Sequence, residues 1–161
     1  MVQSSVQRNG MVLERIREFM IIRQGTANDI NKVSRLWLKM VRELSPNGNP
    51  NVEWWRDIAV SCLKSGMYEM VVAEDGGKIV GFGDFFISPE PLTGKIHWMG
   101  RHLFVDVERR ETSLAGKIYR KGIEIGKEKG ATVFDVFCAP NEIPLWSKKG
   151  YVENQLVMRK H

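Results

Sequence analysis

Apolar residues recur every three or four positions in several stretches of the chain, as they do along the buried face of a helix. The longest such stretch covers 30–44; it follows a Thr-x-x-Asp helix-start signal at Thr26 and Asp29 and stops before a Ser-Pro pair. A second amphipathic stretch ends at Gly66, and a third covers 113–129. The third carries a stripe of small residues, which let a helix backbone approach its neighbour closely (Ala115, Gly116, Gly122 and Gly126).

Strand patterns occupy much of the chain between these helices. They are predicted at 20–23, 70–74, 78–87, 95–105, 132–139 and 151–159, with a short helix at 144–149. Asp75-Gly76-Gly77 is predicted to form a three-residue hairpin turn, because glycine readily supplies positive φ. The nearly continuous apolar run at 132–139 is typical of a strand buried on both faces. The order strand, two helices, three strands, helix, strand, helix, strand predicts a mixed α/β fold with a late strand–helix–strand crossover.

The chain has the size and composition of one globular domain. Its 161 residues are 43% hydrophobic, without the shift in composition that would separate two domains. Residues 1–19 begin polar and then space their apolar residues as a short helix does, so we interpret them as an appendage before a single domain at 20–161. The sequence shows neither a signal peptide nor an apolar run of about 18 residues. We therefore expect a cytoplasmic protein that does not bind membranes.

Charge and cysteine content narrow the range of partners. A net charge of +5 and a pI near 9.3 favour anionic partners. The Lys and Arg residues are spread along the chain, which disfavours nucleic acid and leaves a phosphorylated cofactor open. Cys62 and Cys138 have no second Cys or His at metal-ligand spacing, so we expect two reduced thiols and no metal site.

The segment 103–116 carries the strongest functional signal, because an apolar strand breaks there directly into a helix rich in small residues. The first amides of a helix have no intrahelical partner, and the helix dipole places partial positive charge on them. Arg110 adds a full charge, so a pyrophosphate could lie across 111–116. These features alone indicate either a phosphate-bearing ligand or an ordinary solvated turn.

Two motifs resemble those of the GCN5-related N-acetyltransferase (GNAT) superfamily. Val105-Asp106-Val107 stands where the family has Val-x-Pro, and Arg110-Glu111-Thr112-Ser113-Leu114-Ala115 is similar to its cofactor loop, Arg/Gln-x-x-Gly-x-Gly/Ala. Asn141 and then Trp146-Ser147-Lys148-Lys149-Gly150-Tyr151 resemble the following motif, an Asn before aromatic-x-x-x-Gly-aromatic. The resemblance covers about 20–161. The sequence differs from the family pattern at two positions, where Val107 replaces the Pro and Ser113 replaces the first Gly of the loop. The Cβ of Ser113 limits how closely a pyrophosphate can approach the backbone.

The resemblance implies a fold and a reaction. The GNAT fold is a central, mostly antiparallel sheet with a splayed parallel strand pair, flanked by four helices. Its members bind acetyl-CoA and transfer the acetyl group to a primary amine by direct attack, through a tetrahedral intermediate. The expected acceptor is a small-molecule or peptide amine. Relatives often dimerise, so a homodimer is one expectation.

The resemblance also implies a cofactor site. The pantetheine arm would bond to backbone groups of Leu103, Phe104 and Val105. An N–H at Leu103 or Phe104 would polarise the thioester carbonyl and stabilise the oxyanion. The other residues carried over as cofactor-binding are Arg110, Glu111, Thr112, Ser113, Leu114, Ala115, Gly116, Asn141 and Trp146. Ser113 could lend its hydroxyl to a phosphate or cap the helix.

The catalytic base is sought on the same strand. Many members carry an acidic residue shortly before the Val-x-Pro pattern, where this chain has Arg101 and His102. Imidazole titrates near neutrality, so His102 is the first candidate for the base. The alternative is a histidine satisfied by packing or solvent. Further candidates are His97, Asp84 and Glu90.

Three tryptophans complete the candidate site. Trp146 stands where the family often has a tyrosine general acid, and an indole N–H donates hydrogen bonds but not a useful proton. Trp146 is therefore expected to pack either on the pantetheine arm or in the core. Trp54-Trp55 follow the loop between the first two helices and could wall an apolar or cationic acceptor, with at least one of them in the core.

Two other functions stay open at this point. A non-catalytic acyl-CoA-binding or sensing module of the same fold would account for the absent tyrosine and the absent acidic residue. A basic nucleic-acid-associated domain would account for the charge, but the sequence has no recognised nucleic-acid motif to support it. An acetyl-CoA-dependent N-acetyltransferase is the function that the sequence favours.

Overall fold

The computed structural model describes residues 20–110 and 112–153, which contain five strands and four α-helices. The strands are β1 (Met20–Gln24), β2 (Tyr68–Asp75), β3 (Lys78–Pro89), β4 (Ile96–Val105) and β5 (Val133–Val136). The helices are α1 (Ile30–Leu44), α2 (Val52–Ser65), α3 (Leu114–Glu128) and α4 (Ile143–Ser147). The predicted N-terminal helix, and all but 151–153 of the predicted last strand, lie outside the described residues.

The sheet has the mixed topology that the sequence predicts. Strands β1 to β4 pair in order, each antiparallel to the next, and β5 pairs parallel to β4. Helix α3 supplies the crossover between β4 and β5, because two parallel strands need a connection long enough to return to the same end of the sheet. The predicted fold, a mostly antiparallel sheet with one parallel pair and four flanking helices, is therefore confirmed.

Each face of the sheet carries its own apolar core, because successive side chains of a strand point to opposite faces. On one face, Leu36 of α1 and Ala59 of α2 share a buried cluster with Phe82 of β3. On the other face, Ile118 of α3 shares a cluster with Phe85 of β3. Helices α1 and α2 thus cover one face and α3 covers the other. None of the helices in this part of the chain is long and apolar enough to cross a membrane.

The predicted stripe of small residues brings α3 close to the sheet. A Cβ on Gly126 would stand 2.5 Å from Cδ1 of Trp98, and one on Gly122 would stand 3.2 Å from Cε1 of Phe85. Both separations are shorter than ordinary van der Waals contact, so a side chain at Gly126 would force Trp98 to move, and one at Gly122 would need the Phe85 ring to shift slightly. The short connection 106–113 then places the first turn of α3 beside the end of β4, where the sequence predicts an anion site.

Two sequence predictions are wrong in detail. Asp75 pairs with Lys78, so the hairpin loop has two residues, Gly76 and Gly77, with φ of 55° and 82°. Positive φ at both central residues matches the twist of the flanking strands, which removes the need for a third loop residue. Strand β5 is shorter than predicted and half-buried rather than buried on both faces, because within the described residues it has a partner on one side only.

An ion-pair network joins β1 to the start of α1. Arg23 donates to both carboxylate oxygens of Asp29 at 2.8 Å and to Glu74 at 2.7 Å. The Thr26 amide donates to Asp29 at 2.8 Å, as the Thr-x-x-Asp signal predicts. Asp29 is buried, and its hydrogen bonds from Arg23 and then from Thr26 lower its pKa from 3.8 to about 2.

Asp29→Asn is expected to lower the free energy of unfolding at neutral pH by about 2 kcal/mol. Because folding depresses the pKa of Asp29, this stabilisation is present above about pH 4 and is lost as the pH falls toward about 2. Urea unfolding at neutral pH and near pH 2 measures both effects. Wild type should lose more stability on acidification than Asp29→Asn. Asp57→Asn, at an exposed position, serves as the control. Equal losses of stability in wild type and Asp29→Asn would contradict the low pKa assigned to Asp29.

Candidate functional site

Strands β4 and β5 separate partway along their length. They pair over His97–Gly100 and Val133–Val136, and the Phe137 amide then donates to the Gly100 carbonyl at 3.1 Å. Beyond that bond, the rest of β4 has no parallel partner among the described residues. A cleft of about 550 Å³ opens in the gap, lined from α1, β3, β4, α3 and α4. The predicted splayed strand pair is thus present.

A β-bulge in β4 decides which side chains share a face. Asp84 of β3 pairs with His102, and the register then shifts so that Arg101 is an extra residue. The extra residue resets the alternation of side chains. Trp98, before the bulge, lies in the core on the α3 face, whereas Phe104, after it, lies in the core under α1 and α2. His102 and Asp84 therefore both point to the α1 and α2 face.

The backbone of β4 directs polar groups into the cleft at alternate residues. The Asp106 amide donates to the Val80 carbonyl of β3 at 2.9 Å. Phe104 lies two residues earlier and pairs with Phe82, so its N–H and C=O groups also face β3. The N–H and C=O groups of Leu103 and Val105 therefore point away from β3, toward the gap. Of the two residues predicted to polarise a thioester carbonyl, Leu103 has the required orientation. Phe104 does not, because antiparallel pairing turns its amide to β3.

A buried carboxylate connects three strands beside the cleft. Asp84 is 3% exposed; one oxygen accepts from the Tyr68 hydroxyl at 2.7 Å, and the other accepts from the His102 amide at 2.9 Å. Nδ1 of His102 lies 2.9 and 3.1 Å from the two oxygens. Burial, followed by the charge of Asp84, raises the pKa of Tyr68 far above that of an ordinary phenol, so Tyr68 keeps its proton and donates. These residues form the Tyr68–Asp84–His102 network.

The network determines which nitrogen of His102 is available. A carboxylate only accepts hydrogen bonds, so Nδ1 of a neutral His102 carries the proton and Nε2 keeps its lone pair. The His102 side chain lines the cleft and is 34% exposed. It can accept a proton from a molecule in the cleft, and the Asp84 carboxylate would stabilise the imidazolium formed. Two of the residues that the sequence offered as the catalytic base, His102 first and Asp84 after it, are thus hydrogen-bonded to each other.

The other two candidate bases make contacts outside the cleft. Nδ1 of His97 lies 2.9 Å from Asp135 of β5. Glu90 accepts from the amides of Leu92 and Thr93 in the loop after β3, and these hydrogen bonds lower its pKa. Neither His97 nor Glu90 lines the cleft. Among the described residues, no three His, Cys, Asp or Glu side chains are grouped so as to hold a metal ion.

The predicted phosphate-binding segment forms the first turn of α3. The amides of a helix's first turn have no intrahelical partners, so those of 114–116 are open to an anion. The Ser113 side chain is exposed and makes no capping hydrogen bond to the helix. The Thr112 hydroxyl donates to the carbonyl of the preceding turn at 2.6 Å. Glu111 lies outside the described residues.

Arg110 is held at the edge of the cleft by three contacts. Its Nε donates to the Val105 carbonyl at 3.0 Å, and its Nη2 donates to both carboxylate oxygens of Glu43 at 2.8 Å. The guanidinium also lies 5.0 Å from the centroid of the Phe104 ring. In this structure Arg110 therefore joins α1 to the end of β4, with a side chain exposed enough to reach a ligand.

The second motif contributes Trp146 to the cleft. Trp146 packs edge-on against Tyr119 and Tyr151, with 5.5 Å between ring centroids in both pairs. The tryptophan is half-buried, so it has the cleft on one side and aromatic packing on the other. Asn141 lies in an exposed turn before α4 and does not line the cleft.

The structure separates the tandem tryptophans. Trp55 is buried and stacks on Trp37 of α1, with ring centroids 4.9 Å apart. Trp54 is 62% exposed on the surface of α2. Neither lines the cleft, because adjacent residues of a helix point in directions about 100° apart and this pair divides between core and solvent. Trp55 therefore does not fit the predicted acceptor role, whereas its predicted alternative, a core residue, fits.

Two tyrosines of the site were missed by the sequence interpretation. Tyr119 of α3 lines the cleft, and its hydroxyl lies 2.7 Å from that of Tyr151. Its spacing of four from Ala115 puts it on the same helical face as the small residues, which is a signal that could have identified it. Tyr68 carries no such signal, because its link to Asp84 depends on the pairing of β2 with β3.

The comparisons with known proteins agree with this fold. Residues 33–151 match the family model described as "Acetyltransferase (GNAT) family". Comparison with curated protein sequences gives no match. An aminoglycoside N-acetyltransferase solved in complex with CoA has a TM-score of 0.72 at 18% identity, over 88% of this chain and 93% of that chain. An acetyltransferase of Trypanosoma brucei has a TM-score of 0.70 at 19% identity, over 88% and 99%.

A protein-modifying enzyme has the same architecture. The ribosomal-protein-alanine N-acetyltransferase from Brucella melitensis biovar Abortus 2308 has a TM-score of 0.65 at 17% identity, over 88% of this chain and 99% of that chain. Identities this low indicate a shared fold and do not transfer a substrate. The family model, by contrast, spans most of the chain. The splayed strands, the open first turn of α3 and the sequence match lead to one assignment: the chain belongs to the acetyltransferase (GNAT) family.

Proposed function

We propose that the protein is an acetyl-CoA-dependent N-acetyltransferase that acetylates a primary amine by direct attack, through a tetrahedral intermediate. The observation that carries the proposal is a single cleft that contains both an oriented histidine and the part of β4 that has no parallel strand partner among the described residues. The buried Asp84 carboxylate behind His102 supports its role as the base, and the orientation of the Leu103 amide supports a role in binding an oxyanion.

The donor is proposed to lie from the first turn of α3 along the gap beside β4. The amides of 114–116 and the hydroxyl of Ser113 would bind the pyrophosphate, where the helix dipole favours an anion. The backbone groups of Leu103 and Val105 would bind the pantetheine arm as an added strand. When bound there, acetyl-CoA supplies the activated acetyl group.

Two groups of the chain then act on the reacting atoms, and two further residues position one of them. Nε2 of His102 removes a proton from the incoming ammonium, directly or through water, so that the amine can attack the acetyl carbon. The N–H of Leu103 donates to the oxygen that becomes negative during attack, and a donor fixed in a strand needs no reorganisation. Asp84 stabilises the imidazolium through Nδ1, while Tyr68 holds Asp84 in place.

The acceptor is proposed to enter on the α1 and α2 face, because His102 points there. The wall of the cleft on that side includes Met40, Glu43 and Leu44 from the end of α1. Met40 and Leu44 offer apolar surface there, while the Glu43 carboxylate is paired with Arg110, so this wall suits the apolar part of a small molecule or a peptide. Structural neighbours act on aminoglycosides and on ribosomal-protein alanine, so both classes belong in an acceptor screen.

The proposal is tested by incubating the purified protein with acetyl-CoA and one amine at a time: kanamycin, an alanine-terminated peptide, lysine or spermidine. Release of free thiol and the mass of the acetylated amine report transfer. Turnover of any amine above the rate without protein supports the proposal. Binding of acetyl-CoA without turnover of any amine would favour the non-catalytic sensing module, and absence of both binding and turnover would exclude both functions.

Arg110→Glu is expected to weaken acetyl-CoA binding by more than about tenfold while the fold survives. The change puts a negative charge beside the proposed pyrophosphate site and next to Glu43. Calorimetric titration measures the affinity, and thermal melting checks the fold. Arg35→Glu makes the same charge reversal on the exposed side of α1, away from the cleft, and should change the affinity little. Unchanged affinity in Arg110→Glu would place the phosphates elsewhere.

A further inference from the structure

Acetyl transfer releases a thiolate, which must gain a proton before the product leaves. Trp146 cannot supply that proton, because an indole N–H is not a useful acid. Tyr119 lines the cleft from α3, the helix that also carries the proposed pyrophosphate site, and its phenol is a usable proton donor. We propose that Tyr119 is the general acid of the reaction and that Tyr151 supports it, an inference that rests on the proposed acetyl transfer.

The two phenols form a fixed pair beside the cleft. The Tyr119 and Tyr151 hydroxyl oxygens are 2.7 Å apart, although the residues come from α3 and from the segment after α4. Trp146 packs edge-on against both rings, and Trp98 packs edge-on against Tyr119 with centroids 6.2 Å apart. Packing on two sides holds the Tyr119 ring in one orientation, which a proton donor requires.

Either phenol can donate in the hydrogen bond between them. Burial, followed by the bond to Tyr119, raises the pKa of Tyr151 above that of an ordinary phenol, so Tyr151 keeps its proton and has one to donate to Tyr119. A phenol has one proton and can also accept, so the proton of Tyr119 is available to the cleft. Asp135 of β5 is the acidic group whose charge acts on Tyr151.

The phenolate that remains after proton transfer would also be stabilised. The Tyr151 hydroxyl would donate a charge-assisted hydrogen bond to the oxygen of Tyr119. Nζ of Lys149 lies 5.3 Å from the centroid of the Tyr119 ring, so a positive charge faces the ring as it gains negative charge. Both contacts lower the free energy of the conjugate base, which is what makes a phenol an effective acid.

Base and acid lie on opposite faces of the sheet. His102 points to the α1 and α2 face, and Tyr119 belongs to the helix on the other face. The gap between β4 and β5 connects the two faces of the sheet, and the cleft in this gap is lined by both His102 and Tyr119. His102 would therefore serve the amine and Tyr119 the thiol, so neither group has to perform both proton transfers.

The proposed step conserves atoms and charge. As the tetrahedral intermediate collapses, the C–S bond breaks and its electron pair goes to sulfur. The O–H bond of Tyr119 then breaks, its proton goes to sulfur, and the oxygen keeps the electron pair. The ammonium nitrogen loses two protons, one to His102 before attack, which His102 then passes to solvent, and a second from the tetrahedral intermediate to solvent. Tyr119 regains one proton from solvent, so one proton is released in total and the enzyme returns to its starting state.

Coenzyme A and desulfo-coenzyme A test the contact with sulfur without any acceptor. At neutral pH, wild type should bind coenzyme A roughly three- to tenfold more tightly than desulfo-coenzyme A, because the Tyr119 hydroxyl donates a hydrogen bond to sulfur that the desulfo compound lacks. In Tyr119→Phe, which keeps the ring and its packing, the ratio should fall to about one. A ratio in this variant equal to that of wild type overturns the inference. Failure of wild type to bind either compound overturns the proposed function instead.

The rate of transfer gives a second readout with the amine that turns over fastest in the panel. Tyr119→Phe should lower kcat roughly 10- to 100-fold at unchanged KM for acetyl-CoA, because the lost group acts only on the leaving sulfur. Tyr151→Phe should cost less than about tenfold, because it leaves the proton of Tyr119 in place. If Tyr119→Phe keeps the wild-type kcat, or if it changes only the KM for acetyl-CoA, Tyr119 is not the general acid.

Discussion

His102→Gln is expected to lower kcat by roughly 10²- to 10⁴-fold while acetyl-CoA binds with unchanged affinity. Glutamine retains an amide that can hydrogen-bond to Asp84, but it cannot take up a proton at neutral pH. Only proton removal from the amine is lost, so the effect should fall on kcat. Thiol release with the fastest amine of the panel measures kcat, and calorimetry measures the affinity.

His97→Gln is the matched control for this experiment. His97 lies on the same strand and pairs with Asp135 outside the cleft, so its replacement should leave kcat within about twofold of wild type. If His102→Gln retained wild-type kcat, His102 would not be the base. The Tyr68–Asp84–His102 network would then serve to brace the three strands rather than to move a proton.

Asp84→Asn is expected to lower kcat by roughly 10³- to 10⁴-fold, although Asp84 need not touch either substrate. The asparagine amide can donate to Nδ1 of His102, which would move the ring proton to Nε2. An imidazole with a proton on Nε2 cannot accept one from the amine. Because asparagine has nearly the shape of aspartate, the KM for acetyl-CoA should not change.

Nitrogen NMR of His102 separates a change of tautomer from a loss of structure. The account predicts a protonated Nδ1 in wild type and a protonated Nε2 in Asp84→Asn. Tyr68→Phe removes one hydrogen bond from Asp84 but leaves the carboxylate facing His102, so its loss in kcat should stay below about tenfold. A destabilised Asp84→Asn with normal kcat per folded molecule would mean that Asp84 is a structural residue.

The fold could be predicted from the sequence where its determinants are local. The Thr26 and Asp29 signal acts over three residues, and the predicted amide–carboxylate bond is present. Ala115, Gly122 and Gly126 lie on one face of α3, and Gly126 meets Trp98 as a close approach requires. The β2–β3 hairpin shows the limit of such reasoning. Three turn-forming residues are visible in the sequence, but strand register decides that two of them form the loop.

The catalytic network could be predicted only in part. His102 stands out as an ionisable residue just before the cofactor motif, so it was identified. Its partnership with Asp84 depends on which residues of β3 and β4 face each other and on the bulge at Arg101. Those are long-range properties of the sheet. The link of Tyr119 to Tyr151 was missed for a similar reason, because it spans 32 residues and joins α3 to the segment after α4.

The donor site remains a prediction for a physical reason. Its proposed contacts are mostly backbone amides, in the first turn of α3 and at Leu103 and Val105. Almost every residue type has a backbone amide, so the sequence does not reveal which amides bind a ligand. The sequence motif locates the segment, and the structure provides open amides there. The apolar pattern of the sequence carries no information about a hydrogen bond from Ser113 to a phosphate, and a binding measurement does.

Calorimetric titration of acetyl-CoA into wild-type protein, with coenzyme A and ATP for comparison, tests the central claim most directly. The account predicts that both coenzyme A compounds bind in the micromolar range, about −8 kcal/mol, and that ATP binds far more weakly. Only the coenzyme A compounds carry the pantetheine arm that would occupy the gap beside Leu103 and Val105. Failure of acetyl-CoA to bind at about millimolar concentration, or equal affinity for ATP, would contradict the account.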